Sequence, residues 1–260
     1  MHTAPRYYDP GTVLTAAEVA AMIDHSLLRP ELTLDDVTFG CQLAATHEVA
    51  TVCCKPADVA HAVNELADSP VKVGAVVGFP HGSSTTETKV FEARQALDDG
   101  ARELDMVINI GRLRGGEHAV VAADIQAVVD AATPSSALVK VIFENAYLTD
   151  DEKVVACRLS EDSGVDFVKT STGFAASGAT MHDLLLMRRT VSPRVQVKAA
   201  GGVRTLDTLL SMVAIGVTRF GATATASMLA DARGRAAVGE LFVPAAMLDE
   251  LSGDGGSLAY

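Results

Sequence analysis

Asp166-Phe167-Val168-Lys169-Thr170-Ser171-Thr172-Gly173-Phe174 reads as a short strand that ends in a turn. Phe167, Val168 and Thr170 suit a strand, and Gly173 closes it. Lys169 sits inside that strand, where an ammonium is expensive to bury. A buried lysine lowers the cost by shedding its proton, and the neutral amine then attacks carbonyl carbons to form a Schiff base. The plainer alternative is a lysine that snorkels to the rim or pairs with a carboxylate.

The same strand-and-turn grammar extends outward on both sides. Further strands are expected at residues 23–28, 49–54, 71–78, 103–109, 138–144, 196–200 and 219–222, with the quoted one at 167–171. Each is followed by a helix with its own signals. Thr33 with Asp36 and Thr149 with Glu152 open two of them, and Pro56 sits in the first turn of a third. Ser84 with Glu87 is expected to cap residues 85–99, before Gly100, and residues 117–132 end before Pro134. Thr180 with Asp183 opens the next, residues 205–215 end at Gly216, and residues 223–233 end at Gly234. Eight alternating units imply a parallel sheet, and in a chain of 260 residues they match a single-domain α/β (β/α)8 TIM barrel. An open doubly wound sheet is the runner-up, but the chain has no G-x-G-x-x-G fingerprint. A short helix at residues 16–22, opened by Thr15 and Glu18, precedes the barrel, and residues 235–260 form a tail. Residues 1–260 read as one domain, with residues 1–11 and 252–260 expected to be flexible.

Composition narrows the partners. Hydrophobic residues make up 48%, aromatics only 5%, and tryptophan is absent, so the core must be aliphatic. The formal charge of -12, from 21 basic against 33 acidic residues, argues against nucleic acid. A small anion needs only a local positive pocket and is not excluded. Cys41, Cys53, Cys54 and Cys157 have neither metal nor disulfide spacing, which points to reduced thiols and a cytoplasmic protein. No signal peptide and no run of eighteen apolar residues is apparent, so no membrane association is expected.

Barrel chemistry occurs where strands end at their C-terminal face. Lys198, in Gln196-Val197-Lys198-Ala199-Ala200-Gly201-Gly202-Val203-Arg204, belongs to the strand after that of Lys169. Two ammoniums on neighbouring strands repel, which favours a neutral amine on one of them. Lys140 is a third strand lysine, with Glu144 as its expected partner. Glu103 and Asp105 share a strand face by parity, and Asp105 is the candidate for pairing with Lys198 or relaying a proton. Gly201-Gly202 and Gly221-Ala222-Thr223 each precede a helix and offer bare backbone N–H groups to an anion, with Gly173 near the same corner. Asp24, His25 and Ser26 are placed to meet a hydroxylated substrate, although His25 reads better as a core histidine. Cys53 reads as packing, and nothing supports a metal site.

Ile23-Asp24-His25-Ser26, Gly78-Phe79-Pro80-His81-Gly82, Glu103-Leu104-Asp105-Met106-Val107-Ile108-Asn109, the stretch from Asp166 to Phe174, Val197-Lys198-Ala199-Ala200-Gly201-Gly202-Val203-Arg204 and Arg219-Phe220-Gly221-Ala222-Thr223 together resemble the deoxyribose-phosphate aldolase family. The resemblance implies a class I aldolase that uses no metal or cofactor. It would cleave 2-deoxy-D-ribose 5-phosphate reversibly to acetaldehyde and D-glyceraldehyde 3-phosphate. By resemblance Lys169 is the Schiff-base lysine, Lys198 the second lysine and Asp105 the relay carboxylate. Asp24, Ser26 and Thr172 fall on substrate-hydroxyl positions. Gly173, Gly201, Gly202, Arg204, Gly221 and Thr223 fall around the phosphate, and Tyr260 resembles a C-terminal tyrosine used in proton transfer. Phe174 stands where some members have a lysine and Ala224 where some have a hydroxyl, so the phosphate would rely more on backbone groups. A homo-oligomer, with a dimer favoured, is the expected assembly. The rival readings are another Schiff-base sugar-phosphate lyase and an inactive sugar-phosphate-binding barrel.

Overall fold

The computed structural model describes residues 7–245. Eight parallel strands close into a barrel in sequence order, with the last paired to the first. They are β1 (Ile23–Leu27), β2 (Thr51–Cys54), β3 (Lys72–Val77), β4 (Glu103–Val107), β5 (Leu138–Ile142), β6 (Phe167–Lys169), β7 (Gln196–Ala200) and β8 (Arg219–Ala222). Around them stand α1 (Ala16–Ala20), α2 (Leu34–His47), α3 (Val59–Glu65), α4 (Thr86–Asp98), α5 (Ile110–Arg114), α6 (His118–Ala132), α7 (Asp150–Asp162), α8 (Met181–Thr190), α9 (Leu206–Val213) and α10 (Thr225–Ala237). The (β/α)8 barrel expected from the alternation is the fold found.

The local starts follow from side-chain chemistry. Thr15, Thr33 and Thr149 each accept an N–H three residues on, while Glu18, Asp36 and Glu152 accept in return. These reciprocal bonds satisfy donors that a helix start leaves unpaired. Some boundaries differ from expectation. Thr85, not Ser84, caps α4, because its hydroxyl accepts from Thr88 N–H. The α10 helix passes through Gly234 and ends before Gly239, which takes φ +75°. Gly234 therefore tolerates a helix interior, and the chain turns only where positive φ is needed. The short α5 was not foreseen; Asn109, read as the end of a strand, instead caps it by accepting from Arg112 N–H.

The strands divide the molecule into two unlike interiors. Outward-facing Leu104, Met106, Val139, Val141, Val168 and Val197 join the main apolar cluster with helix residues such as Ile125, Leu184 and Leu209. Each such burial stabilises by roughly 1.5–3 kcal/mol, so the layer between sheet and helices is the main stabilising core. Inward-facing Glu103, Asp105, Lys140, Lys169 and Lys198 are each no more than 2% exposed. Branched aliphatic side chains usually fill such a barrel; here ions occupy its middle. The ring of Phe167 lies beneath them, with the Arg219 guanidinium 5.4 Å and the Lys140 ammonium 6.0 Å from its centroid.

The segment before α1, expected to be loose, has fixed contacts within its described part. Gly11 and Leu14 donate to Val243 and Leu241 carbonyls at 2.8 and 2.9 Å, and the Tyr7 hydroxyl donates to the Pro193 carbonyl at 3.1 Å. Tyr260 and the rest of the tail from residue 246 lie outside the described residues.

Candidate active site

Strand register assembles the ionic interior. Lys169 of β6 is level with Lys198 of β7, Lys198 with Arg219 of β8, and Asp105 of β4 with Lys140 of β5. Asp105 is the hub. Its Oδ1 accepts from Lys140 at 2.6 Å, and its Oδ2 accepts from Lys169 and Lys198, both at 2.7 Å. Asp24 on β1 closes the ring, accepting from Lys198 at 2.5 Å and from Arg219 at 2.6 Å. Glu103 lies 2.5 Å from Lys140 and 3.3 Å from Arg219. Lys140 thus pairs with Glu103 and Asp105 and not with Glu144, because the β4–β5 register brings those two carboxylates to it first.

The charges do not balance when every group is ionised. Within ion-pair distance, Lys140, Lys169, Lys198 and Arg219 meet Asp24, Glu103 and Asp105, while Glu144 acts on Lys169 only from further off. One cation is in surplus, and burial makes a surplus expensive. Lys169 is the group that yields. Burial depresses its pKa, and repulsion from Lys198 adds to this against the attraction of Asp105. Burial also works against the Lys198 and Lys140 ammoniums, but neighbouring carboxylates outweigh it and raise both pKa values. Burial would likewise raise Asp105, yet the three lysines hold its carboxyl well below the usual range. A lattice with a neutral Lys169 and charged neighbours is the balanced state. The lysine pair read from the sequence therefore has unequal members, and the third lysine acts from below by meeting the opposite face of Asp105.

Above the lattice opens a cavity of about 380 Å³. Asp24, Lys169 and Lys198 reach it from the floor, while Asp105 lies behind the two lysines. Ser26 and Thr172 line it at opposite sides of the barrel mouth. Gly173, Gly201, Gly202, Arg204, Gly221 and Thr223 all line it as well, so the expected anion corner is one continuous surface. Gly201 and Gly202 take φ of +79° and +86°, which side chains resist. The loop at residues 170–180 is clasped to β7 beside them. Ala179 N–H donates to both Ala200 and Gly201 carbonyls, and a β-carbon at Gly178 would lie 2.4 Å from the Gly201 oxygen. Ala224, the N-cap of α10, offers no side-chain acceptor, so the first turn of that helix keeps its N–H groups for another partner. Phe174 packs edge-on against Phe79, with centroids 5.4 Å apart.

Two cavity residues with polar side chains were not singled out as site residues from sequence. Arg29 follows β1 on the cavity rim, where a census of cations in the loops after strands would have found it. Cys53, read as packing, turns its thiol toward Asp105 at 4.0 Å and lines the cavity; burial pushes it up to about 11, so it is a neutral thiol. His25 is the core histidine expected. It faces away from the cavity, with Nδ1 2.9 Å from the Thr225 hydroxyl, and burial lowers it to about 4.

A barrel with a buried lysine at the floor of an open, cation-rich cavity has the architecture of a lyase that works through an enzyme amine. Residues 8–236 match the model of the DeoC/LacD family aldolase, and the chain belongs to that family. It is 48% identical over 217 residues to deoxyribose-phosphate aldolase 1 of Oceanobacillus iheyensis, covering 84% of this chain and 98% of that one. Among solved structures, the aldolase QR15 superposes with a TM-score of 0.80 at 34% identity, covering 85% of this chain and 98% of its own. The deoxyribose phosphate aldolase from Aeropyrum pernix, described as a unique tetramer, gives 0.78 at 28% identity over 84% of this chain and 92% of its own. No helix among the described residues is long and apolar enough to cross a membrane.

Proposed function

We propose that the chain is a class I aldolase that cleaves 2-deoxy-D-ribose 5-phosphate, reversibly, to acetaldehyde and D-glyceraldehyde 3-phosphate, with Lys169 as the Schiff-base residue. The observation that carries this is a buried amine at the floor of a cavity with an anion corner, its pKa lowered by burial and by the neighbouring Lys198. The Lys169 amine adds to the aldehyde carbon of the open-chain sugar, and loss of water gives an iminium. The C3 hydroxyl loses its proton through water to the Lys198–Asp105 pair, and, as C3 becomes a carbonyl, the C2–C3 bond breaks. Its electron pair moves into the iminium to form an enamine on Lys169, and D-glyceraldehyde 3-phosphate departs. The enamine carbon then takes a proton, and water releases acetaldehyde and the free amine.

Asp24, Ser26 and Thr172 meet the sugar hydroxyls in this reading. Backbone N–H groups at Gly173, Gly201, Gly202 and Gly221, with Arg204 and Thr223, hold the phosphate. Binding at that remote end keeps the reacting bond in register, which converts binding energy into rate. Lys140 supports the reaction through Asp105, and a role for Tyr260 belongs to a segment outside the described residues. The four cysteines are free and buried, which supports a reducing compartment and hence the cytoplasm. The assembly is taken as a homo-oligomer with a dimer favoured, supported by the family's tetrameric member; a monomer mass by light scattering would reject it.

Borohydride reduction in the presence of acetaldehyde or the sugar phosphate tests the chemistry. The expected result is a reduced adduct on the peptide that contains Lys169. An adduct on Lys198 or Lys140 would keep the mechanism and overturn the role of Lys169. No adduct on a folded protein would sink the aldolase reading.

A further inference from the structure

Glu144 is a buried carboxylate that the mechanism above leaves unused. It is 2% exposed and has no ion-pair partner among the described residues. Its backbone sits at φ +56°, a left-handed conformation that a glutamate adopts only under constraint. It follows β5 at the C-terminal face of the barrel, where chemistry is placed. Every hydrogen bond its carboxylate receives comes from one residue. The Thr172 N–H lies 3.3 Å from both oxygens, and the Thr172 hydroxyl donates to Oε2. Burial raises the Glu144 pKa, and Thr172 and Lys169 act against that shift.

The hydroxyl of Thr172 has one proton and two lone pairs. The proton goes to Glu144, and one lone pair accepts the Phe174 N–H at 3.0 Å. What remains toward the cavity is a single lone pair. Thr172 therefore meets the substrate as an acceptor and cannot donate to it while Glu144 holds its proton.

We propose that Glu144 is a positioning residue that fixes the polarity of the Thr172 hydroxyl, so that the site selects substrates carrying a hydroxyl that can donate to it. This rests on the aldolase reading and deepens it. The chemical class selected is an acceptor aldehyde with an adjacent hydroxyl, as against a plain alkyl aldehyde. A strained backbone is the means of reaching Thr172: the left-handed turn directs the Glu144 side chain across to the loop after β6, where an extended residue would continue along the strand.

Glu144→Gln is the informative variant, because it keeps size while replacing one oxygen with an NH2 group. If the remaining oxygen accepts the Thr172 N–H, the NH2 group donates to the Thr172 hydroxyl and turns its proton into the cavity. If the oxygen accepts the hydroxyl, two N–H groups face each other. The experiment measures addition of acetaldehyde to D-glyceraldehyde and to propanal by the full-length protein. The expected result is that kcat/KM for D-glyceraldehyde falls roughly tenfold to a hundredfold relative to propanal, the scale of a lost hydrogen bond to a site containing a charged group. In a Thr172→Val background the same substitution should no longer change that ratio, because the hydroxyl it acts through is gone. Equal losses on the two acceptors, or an undiminished effect in the Thr172→Val background, would make Glu144 a structural residue and overturn the proposal. A wild-type protein that adds acetaldehyde to neither acceptor would instead overturn the aldolase reading, and this proposal with it.

Discussion

Lys169→Leu will lose at least about ten-thousandfold in turnover while keeping its fold. Without the amine there is no iminium, so no electron sink exists for the bond that breaks. What remains is binding and electrostatics, which is the residue of catalysis found when other covalent enzymes lose their nucleophile. The stability side of this prediction comes from the charge count. Removing Lys169 leaves Lys140, Lys198 and Arg219 facing Asp24, Glu103 and Asp105, which is a balanced set. A leucine also fills much of the space. Thermal unfolding should therefore occur at or above the wild-type temperature. Steady-state turnover with a parallel melting curve checks both halves. A large drop in melting temperature would show that the lattice needs the lysine as an ion and would contradict the surplus-charge argument.

Asp105→Asn will behave in the opposite way, losing stability as well as activity. With Lys169 neutral, the substitution leaves three buried cations facing two carboxylates, and it removes the group on which three lysines converge. Leaving buried charge uncompensated typically costs about 3–5 kcal/mol. Loss of the proton relay costs a further hundredfold to ten-thousandfold or so in rate. The deficit has a definite pH dependence. In the variant the buried lysines hold their protons less tightly than in the unfolded chain, so the unfolded state binds more protons and stability rises with pH. In the wild type the depressed Asp105 pKa contributes stability that is present above the ordinary carboxylate range and is lost as pH falls through its folded value. Chemical denaturation across pH would show the gap between the two proteins narrowing toward alkaline pH. A constant gap would mean that Asp105 stabilises by geometry and not by charge.

Legibility in the sequence followed the range of each interaction. Helix starts were readable because a cap and its partner lie three residues apart, as at Thr33–Asp36 and Thr149–Glu152. Strand order needed no register, since consecutive parallel strands in a chain of this length close into a barrel. Lys169, Lys198 and Asp105 stood out because a charge flanked by strand residues has to be explained. The partner of Lys140 was misjudged because parity places Glu144 on the same face, yet the left-handed backbone at Glu144 turns it to Thr172. The inter-strand register that sets Asp105 level with Lys140 leaves no local mark in the sequence. Arg219 escaped notice for a related reason: as the first residue of its strand it reads as a rim charge, and only the closed barrel turns it inward onto Asp24. The charge surplus that singles out Lys169 could not be counted until Arg219 was inside.

The clasp between Gly178 and Gly201 limits how this protein can be re-engineered. The two backbones meet with no room for a side chain on either, so the wall nearest the anion corner is set by main chain alone. Such a wall offers no residue to exchange, and substitution there would deform both loops together. Freedom to redesign what the cavity accepts lies instead around its rim, at Arg29, Phe174 and Thr223, where side chains can change without moving the backbone that carries Lys169 and Lys198. A library meant to broaden the acceptor range is best concentrated on those rim positions.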